Sequence, residues 1–224
     1  MPSTPFQTPA WLPALKGRFL VFEGPDGSGK STQLRRLEGL LRGAGIACIS
    51  VMEPGGTAAG EAIRDTLLDH RQAAMDARCE MLLYMASRAQ LVSERIAPAL
   101  TRGDVVLADR FVASTLAYQG AAGGLNPADI LAVARVVTHG AVPHAEPDIN
   151  VVFDVDEGTA AGRLGLLLDR MEAKGSAFHA EVRRGYLDLV SQQPERYVRI
   201  DAAQPEDSVF ADLLEMLGSR FGGT

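Results

Sequence analysis

Short apolar runs alternate along the chain with longer stretches in which apolar residues recur at helical spacing. Apolar runs of this length, bounded by polar or glycine-rich segments, indicate buried strands. The predicted strands are Phe19–Phe22, Ile46–Val51, Val105–Ala108, Ile149–Val155 and Tyr197–Ile200. The predicted helices run from Lys30 to about Leu41, Ala59 to Leu68, Ala77 to Leu100, Pro127 to His139, Phe178 to Ser191, and onward from Pro205. This alternation predicts an α/β fold with a five-stranded parallel sheet covered by helices.

The most specific motif lies between the first strand and the first helix. Its sequence, Gly-Pro-Asp-Gly-Ser-Gly-Lys-Ser, fits the phosphate-binding pattern Gly-x4-Gly-Lys-Ser. Glycines let successive N–H groups point inward, and the helix N-terminus adds positive charge where a polyphosphate would bind. The predicted ATP-binding residues here are Gly24, Pro25, Asp26, Gly27, Ser28, Gly29, Lys30, Ser31 and Thr32. A strand-to-helix turn that uses glycine only for its geometry is the alternative.

Within this loop, two side chains have separate expected tasks. Lys30 is expected to reach the β- and γ-phosphates, and the Ser31 hydroxyl is expected to ligate Mg²⁺. The motif therefore predicts nucleotide binding in a P-loop NTPase fold.

Composition narrows the class of protein further. A chain of 224 residues that is 46% hydrophobic can bury one substantial core, so we expect a single domain over residues 18–224 after an irregular arm at residues 1–17. A net charge of -6 argues against a general binder of nucleic acid or anionic membranes. The two cysteines, the absence of a signal-peptide pattern and the absence of a membrane-length apolar run predict a cytoplasmic protein.

Charged residues follow the predicted strands at the point where each strand ends. Ligands of open parallel sheets bind at these carboxyl ends. Asp109 and Arg110 follow the third strand, so the carboxylate could hold Mg²⁺ or its waters while the guanidinium grips a phosphate. An ion pair that caps the following helix is the alternative.

One face of the predicted long helix carries Glu80, Tyr84 and Arg88 at four-residue spacing. Such a stripe could hold a planar base, because Tyr84 can stack and Arg88 can donate to a carbonyl. A surface ladder of polar side chains explains the spacing equally well.

Several further motifs occur in a characteristic order. They are Glu53-Pro54-Gly55-Gly56-Thr57, residues 82–88, Asp109-Arg110-Phe111, residues 114–120, Pro147-Asp148, and Phe178-His179 with Gly185-Tyr186. In order and spacing, together with the phosphate loop, they resemble the bacterial thymidylate kinases. The resemblance covers nearly the whole chain beyond the N-terminal arm.

The resemblance implies transfer of the γ-phosphoryl group of ATP to dTMP, with Mg²⁺, by a homodimer; the charge and composition above predict no nucleic-acid or membrane partner. It implies that Tyr84 stacks on the base, that Arg88 contacts a pyrimidine carbonyl, and that Tyr118 crowds the sugar 2′-position. The implied dTMP-binding residues are Glu53, Arg64, Tyr84, Arg88, Arg110, Thr115, Tyr118 and Gln119. The implied metal ligands are Ser31 and Asp109, and the implied catalytic residues are Lys30, Asp26, Arg110 and Arg170.

The expected lid, at about residues 164–178, departs from the family pattern. It is apolar and looks shortened, and Gly27 stands where some members carry an arginine. Arg163 matches a position near the ATP base, and Arg170 is the cation expected to reach the transferred phosphate. The alternatives are a nucleotide-binding paralogue with weak or no transfer, or a P-loop kinase for another small acceptor.

Overall fold

The computed structural model describes residues 8–139, 145–163 and 169–223. Its strands are β1 (Phe19–Glu23), β2 (Cys48–Met52), β3 (Val105–Asp109), β4 (Ile149–Asp154) and β5 (Tyr197–Asp201). They pair in parallel in the order β2-β3-β1-β4-β5. The predicted five-stranded parallel sheet is confirmed, and the phosphate loop follows the central strand, β1.

Helices cover both faces of this sheet. They are α1 (Lys30–Gly43), α2 (Ala58–Leu68), α3 (Ala77–Leu91), α4 (Ala97–Arg102), α5 (Val112–Thr115), α6 (Pro127–Thr138), α7 (Glu157–Arg163), α8 (Ser176–Gln192) and α9 (Glu206–Phe221). Side-chain caps define where several helices begin. The side chain of Thr57 accepts from the Gly60 N–H at α2, that of Asp76 from the Arg78 N–H at α3, and that of Asn126 from the Ala128 N–H at α6.

The alternation of side chains along β1 divides the core into two layers. Leu20 and Phe22 point into a cluster with residues of α1 and α9, while Phe19 and Val21 point into a cluster with residues of α3 and α4. Because the pleat alternates, one continuous apolar strand supplies both layers. All five residues of β1 are buried, as expected of a central parallel strand.

The long helix predicted over Ala77–Leu100 is interrupted. A π-helical turn at Val92–Ile96 separates α3 from α4. Pro98 lies within the first turn of α4, where it has no N–H to donate and its ring crowds the carbonyl of the preceding turn. The pattern of apolar residues continues through this turn, which is why the sequence predicts one helix.

The described part of the N-terminal arm is more ordered than predicted. Residues Leu12–Leu15 form a 3-10 helix, and both leucines are fully buried in the core layer that also holds α9. Trp11 lies against Gly218 of α9, where a methyl group on the glycine would come within 2.7 Å of the indole nitrogen. The expectation of an irregular arm is therefore wrong at these residues.

A short helical segment that the sequence analysis did not predict follows Arg110. Helix α5 is only four residues long and continues into a π-helical turn at Leu116–Ala121. A segment this short has too few apolar repeats to reveal its period. It carries Thr115, Tyr118 and Gln119 to the carboxyl edge of the sheet. Across the described ranges, none of the helices has the length and apolar character needed to span a membrane.

Candidate active site

The phosphate loop joins β1 to α1 through glycines in the left-handed region. Gly27 and Gly29 have φ of 78° and 83°. At Gly27 a side chain would also collide with the carbonyl of Ala160 in α7, so both the backbone and the space require glycine. Lys30 is the first residue of α1, and its side chain is only 9% exposed. The loop thus presents backbone N–H groups, a helix N-terminus and an ammonium at one place.

Lys30 lies between two carboxylates. Its Nζ is 3.7 Å from Asp26 Oδ1 and 3.8 Å from Asp109 Oδ1. Burial and the nearby Arg110 guanidinium lower the pKa of Lys30 from its ordinary value. These carboxylate contacts are too long for strong hydrogen bonds, so the ammonium retains donors for a phosphate.

The predicted metal ligands lie together. Asp109 ends β3 beside Phe22 of β1, and its Oδ2 accepts a hydrogen bond from the Ser31 hydroxyl. Within the described ranges, no cluster of three or more His, Cys, Asp or Glu side chains forms a metal site. One carboxylate and one hydroxyl fit Mg²⁺ of the kind that takes its remaining ligands from water and substrate phosphates.

Arg110 is the centre of the polar network. Its Nη2 donates to Asp26 Oδ1 at 2.5 Å and to the Tyr118 hydroxyl at 3.1 Å, and its Nη1 donates to Ser114 and Tyr186 at 3.1 Å each. Its φ is 74°, a positive value for a non-glycine residue, and such backbone strain is typical of functional sites.

Asp26 is the shared partner of the two cations. Burial by itself raises the pKa of this carboxyl, but Arg110 and Lys30 hold the pKa well below its usual range. The Tyr118 hydroxyl also donates to Asp26, at 3.0 Å. Asp26 is therefore ionised at neutral pH and occupies the position where cations from the loop and from β3 meet.

Glu23 holds the segment after β3 in place. It is fully buried and accepts from the Phe111 N–H at 2.8 Å, the Ser114 hydroxyl at 2.6 Å and the Tyr186 hydroxyl at 3.2 Å. The candidate residues named from the sequence omit Ser114 and Tyr186. The buried face that Tyr186 shares with Val182 on α8 is a four-residue repeat that could have pointed to it.

A cavity of about 190 Å³ opens beside this network. Its polar wall includes Asp26, Lys30, Ser31, Asp109 and Arg110. The other predicted residues on its wall are Glu53, Arg64, Tyr84, Thr115, Tyr118 and Gln119. The structure thus brings nearly all of the predicted acceptor residues around one space, with Arg64 anchored to the carbonyl of Pro54 at 2.8 Å.

Arg88 lies behind this wall. Its side chain is 1% exposed, and its Nε and Nη2 both reach Glu53 Oε2, at 2.7 and 2.6 Å. Nη2 also donates to the Phe111 carbonyl, and Nη1 donates to Met85 Sδ and to the Thr115 hydroxyl. A guanidinium has five donors. All five are used inside the protein, so the direct contact of Arg88 with a base carbonyl stays a prediction.

Arg170 does not lie with the phosphate loop. Its Nη1 donates to Glu80 Oε1 and its Nε to the Leu67 carbonyl, each at 2.6 Å, and the side chain is 4% exposed. This position differs from the one that the resemblance implies, because Arg170 pairs with the buried carboxylate of Glu80. Nor does Glu80 form a ladder with Tyr84 and Arg88.

The expected lid lies partly outside the described residues, since residues 164–168 are not among them. Arg163, at the end of α7, donates from Nη1 to the Ala202 carbonyl at 2.9 Å. Its contact with an ATP base stays a prediction. Residues after the gap form a 3-10 turn, Glu172–Lys174, in which Lys174 donates to Glu80 while Glu172 lines a pocket together with Pro25 and Asp26 of the phosphate loop.

Comparison with known proteins supplies the family. A family model described as thymidylate kinase matches residues 22–213. A curated thymidylate kinase of Deinococcus radiodurans is 42% identical over 208 residues, which is 92% of this chain and 98% of the relative. One from Pseudomonas fluorescens is 45% identical over 210 residues, covering 90% of this chain and 98% of the relative.

A solved structure agrees with these sequence matches. The crystal structure of thymidylate kinase from Ehrlichia chaffeensis superimposes with a TM-score of 0.71 at 29% sequence identity. The match covers 89% of this chain and 98% of the other.

Proposed function

Because the chain belongs to the thymidylate kinase family, we propose that it transfers the γ-phosphoryl group of ATP to dTMP, giving dTDP and ADP. It is an ATP-dependent nucleoside monophosphate kinase. Relatives named as kinases align over about nine-tenths of the chain, so the alternative of a paralogue without transfer is not favoured.

The observation that carries this proposal is the meeting of two cations at Asp26. Lys30 belongs to the loop that holds the donor phosphates, and Arg110 belongs to the cavity wall that receives the acceptor. Phosphoryl transfer requires two anions to approach in line, with their charge neutralised and with little covalent help from the protein. A cation from each side of one carboxylate supplies that arrangement.

Each charged residue has a distinct role in transfer. Lys30 binds the β- and γ-phosphates, while Arg110 and Arg64 bind the monophosphate of dTMP. Asp26 holds the guanidinium of Arg110 and the ammonium of Lys30 in place before substrate binds. Phosphate oxygens of the substrates then replace part of the contacts that these cations make with Asp26. The fixed charges need little reorganisation as negative charge spreads in the transition state.

Ser31 and Asp109 are the residues that would hold Mg²⁺. The bound ion would neutralise charge on the donor phosphates. The short contact between the hydroxyl and the carboxylate keeps both oxygens at the loop, where phosphate oxygens and water can complete the ion's ligands.

The base of dTMP occupies the remaining space of the cavity. Tyr84 stacks on the ring, and Thr115 and Gln119 meet its polar edge. The Tyr118 hydroxyl, bonded to Asp26 and Arg110, stands beside the sugar, where it leaves little room for a 2′-hydroxyl. Arg163 contacts the base of ATP on the other side of the phosphate loop.

A homodimer and a cytoplasmic location complete the proposal. Leu82 of α3 and Val136 of α6 are 54% and 79% exposed, and these two helices pack beside each other. Covering such apolar surface with a second copy would stabilise both copies. Sedimentation equilibrium of the full chain would give twice the chain mass if this is right and the single mass if it is wrong.

The experiment for the activity is a coupled measurement of ADP release with ATP and Mg²⁺. We expect turnover with dTMP, weaker turnover with dUMP, and none above background with dGMP or without an acceptor. Absence of dTMP-dependent turnover would overturn the proposed function, and better turnover with another acceptor would reassign it.

A further inference from the structure

Glu80 is buried beside the cavity with a full set of donors. Its side chain is 2% exposed. Arg170 Nη1 and Lys174 Nζ lie 2.6 and 2.8 Å from Oε1, and Gln119 Nε2 lies 3.1 Å from Oε2. Lys174 also reaches Oε2, at 3.1 Å. We call these four residues the Glu80 cluster; none of the roles proposed above for phosphoryl transfer uses Glu80.

The chemistry of Glu80 decides which way the Gln119 amide faces. Burial alone raises the pKa of Glu80, but hydrogen bonds from Lys174 and Arg170 lower the pKa below its ordinary value. An ionised carboxylate only accepts hydrogen bonds, so the NH₂ group of Gln119 must face it. The amide oxygen then faces away from Glu80.

That amide oxygen is available to a ligand. Gln119 is 1% exposed and lies on the wall of the cavity with Tyr84. No hydrogen bond among the described residues reaches Oε1 of Gln119, and this oxygen is not one of their buried side-chain atoms without a partner, so it stays open to the cavity. A donor on a bound base can therefore bond to this oxygen without first breaking a hydrogen bond inside the protein.

The guanidinium of Arg88 orients the Thr115 hydroxyl so that it donates to a ligand, whereas Glu80 orients the Gln119 amide so that it accepts. Arg88 Nη1 donates to Thr115 Oγ1 at 3.2 Å. Because a guanidinium only donates, the Thr115 oxygen accepts, and its own proton is left for another acceptor. The cavity wall therefore offers an acceptor at Gln119 and a donor at Thr115, each set by a buried charge behind it.

We propose that Glu80 is a positioning residue that sets the base specificity of the cavity by fixing the Gln119 amide. Thymine and uracil carry an N3–H donor next to the O4 acceptor, and this edge matches Gln119 Oε1 and the Thr115 hydroxyl. Cytosine carries an amino donor at N4 next to an N3 acceptor, which opposes both groups. The inference rests on the proposed dTMP kinase activity and concerns the same cavity.

The decisive variant is Glu80→Gln. Arg170 and Lys174 would hold the new amide oxygen, its NH₂ would turn to Gln119, and Gln119 would reverse and present NH₂ to the base. We expect the ratio of kcat/KM for dTMP over dCMP to fall at least about 100-fold, since reversing a buried hydrogen bond is worth several kcal/mol. The ratio for dTMP over dUMP should change less than about threefold, because both bases share the edge being read.

A swap of the two side chains provides the rescue. In Glu80→Gln with Gln119→Glu, the amide at position 80 donates to the new carboxylate, whose other oxygen again accepts from N3–H. We expect the swap to restore the preference for dTMP over dCMP. Lys174→Met is the matched control, because it weakens the Glu80 cluster but leaves Glu80 an acceptor, so the ratio should keep its wild-type value.

The result that overturns the inference is an unchanged ratio in Glu80→Gln, or equal losses of the ratio in Glu80→Gln and Lys174→Met. If the variants do not fold, wild-type binding decides. Calorimetry should show that dCMP and N3-methyl-dTMP bind at least about 100-fold more weakly than dTMP, and near-equal affinities would refute the proposal. Lack of wild-type turnover with dTMP would instead refute the proposed function.

Discussion

The phosphate loop region and the Glu80 cluster each hold two cations against carboxylates, yet they hold them differently. Lys30 lies 3.7 and 3.8 Å from its two carboxylate oxygens. Arg170 and Lys174 lie 2.6 and 2.8 Å from Glu80. At the loop the ammonium keeps donors for a phosphate, whereas both cations of the Glu80 cluster make short contacts to one buried carboxylate, although Nη2 of Arg170 has no partner there.

This difference shows that the partners of a cation decide its role more than its charge does. A cation that binds phosphate must exchange its carboxylate for substrate at small cost, so either its resting contacts are long or its side chain borders the substrate cavity. A cation with short contacts to a buried carboxylate would leave that charge unpaired on moving away, at a cost of several kcal/mol. Arg110 has one short contact but shares Asp26 with Lys30 and borders the cavity.

The largest expected effect is at the phosphate loop. Arg110→Met should lower kcat/KM for dTMP by about 10³-fold, because the planar fork for the acceptor phosphate is lost. ATP affinity should stay within about threefold, since Lys30 and the loop backbone remain. Steady-state kinetics and nucleotide titration measure the two effects.

A matched arginine serves as the control. Arg199→Met removes a half-exposed guanidinium from Asp154, which keeps its pair with Arg183. We expect its kinetics to match those of the wild type. If Arg110→Met weakened ATP and dTMP equally, the assignment of Arg110 to the acceptor would be wrong.

Loss of a cation from the Glu80 cluster should affect stability rather than turnover. Arg170→Met should lower the free energy of unfolding by about 3 kcal/mol, because it removes one partner of a buried ion pair. The folded fraction should keep its kcat within about threefold. Urea denaturation and single-turnover kinetics would measure these; a large loss of kcat at unchanged stability would return Arg170 to the transferred phosphate.

The loop could be predicted from the sequence because its chemistry is local. Gly24 to Ser31 are contiguous, and their spacing alone specifies the turn, the helix start and the position of Lys30. The five strands of the sheet could be predicted equally well, because each of them is a separate apolar run in the sequence. Strand ends then placed Asp109 and Arg110 at the correct edge.

The Glu80 cluster could not be predicted because its contacts span long separations. Arg170 is 90 residues from Glu80, and no local pattern indicates that they pair. Helical spacing put Glu80, Tyr84 and Arg88 on one face, but it could not reveal that Arg88 turns inward to Glu53 and Thr115. Long-range pairing of buried charges depends on packing that the sequence pattern does not encode.

A variant of Asp109 tests whether the phosphate loop also depends on its proposed Mg²⁺ ligands, the Ser31 hydroxyl and the Asp109 carboxylate. Asp109→Asn should raise the Mg²⁺ concentration for half-maximal activity by about 10-fold or more, because a carboxylate ligand is replaced by an amide. Titration of Mg²⁺ at saturating dTMP measures this. Asp104→Asn, just before the start of β3, should leave the titration unchanged. An equal shift in both variants would remove Asp109 from the metal site.

The smallest expected effect is a pH-dependent loss of stability in a variant of the Glu80 cluster. Lys174→Met removes a hydrogen bond to Glu80 from a side chain that is 27% exposed, so we expect a loss of about 1 kcal/mol in unfolding free energy at pH 7. Burial alone raises the pKa of Glu80, but the hydrogen bonds from Lys174 and Arg170 lower this pKa below 4.5. The stabilisation that Lys174 contributes through Glu80 is therefore fully present above pH 4.5. It is lost as the pH falls through the lower, folded-state pKa.

The stability difference between Lys174→Met and the wild type should therefore be constant near neutrality and shrink below pH 4.5, as followed by urea denaturation across pH. Lys16→Met, at an exposed lysine, should show no such convergence. A difference that instead grew on acidification would mean that Glu80 binds a proton more readily in the folded wild type than in folded Lys174→Met, so that Lys174 does not lower its pKa. The cluster would then lack the ionised acceptor that orients Gln119.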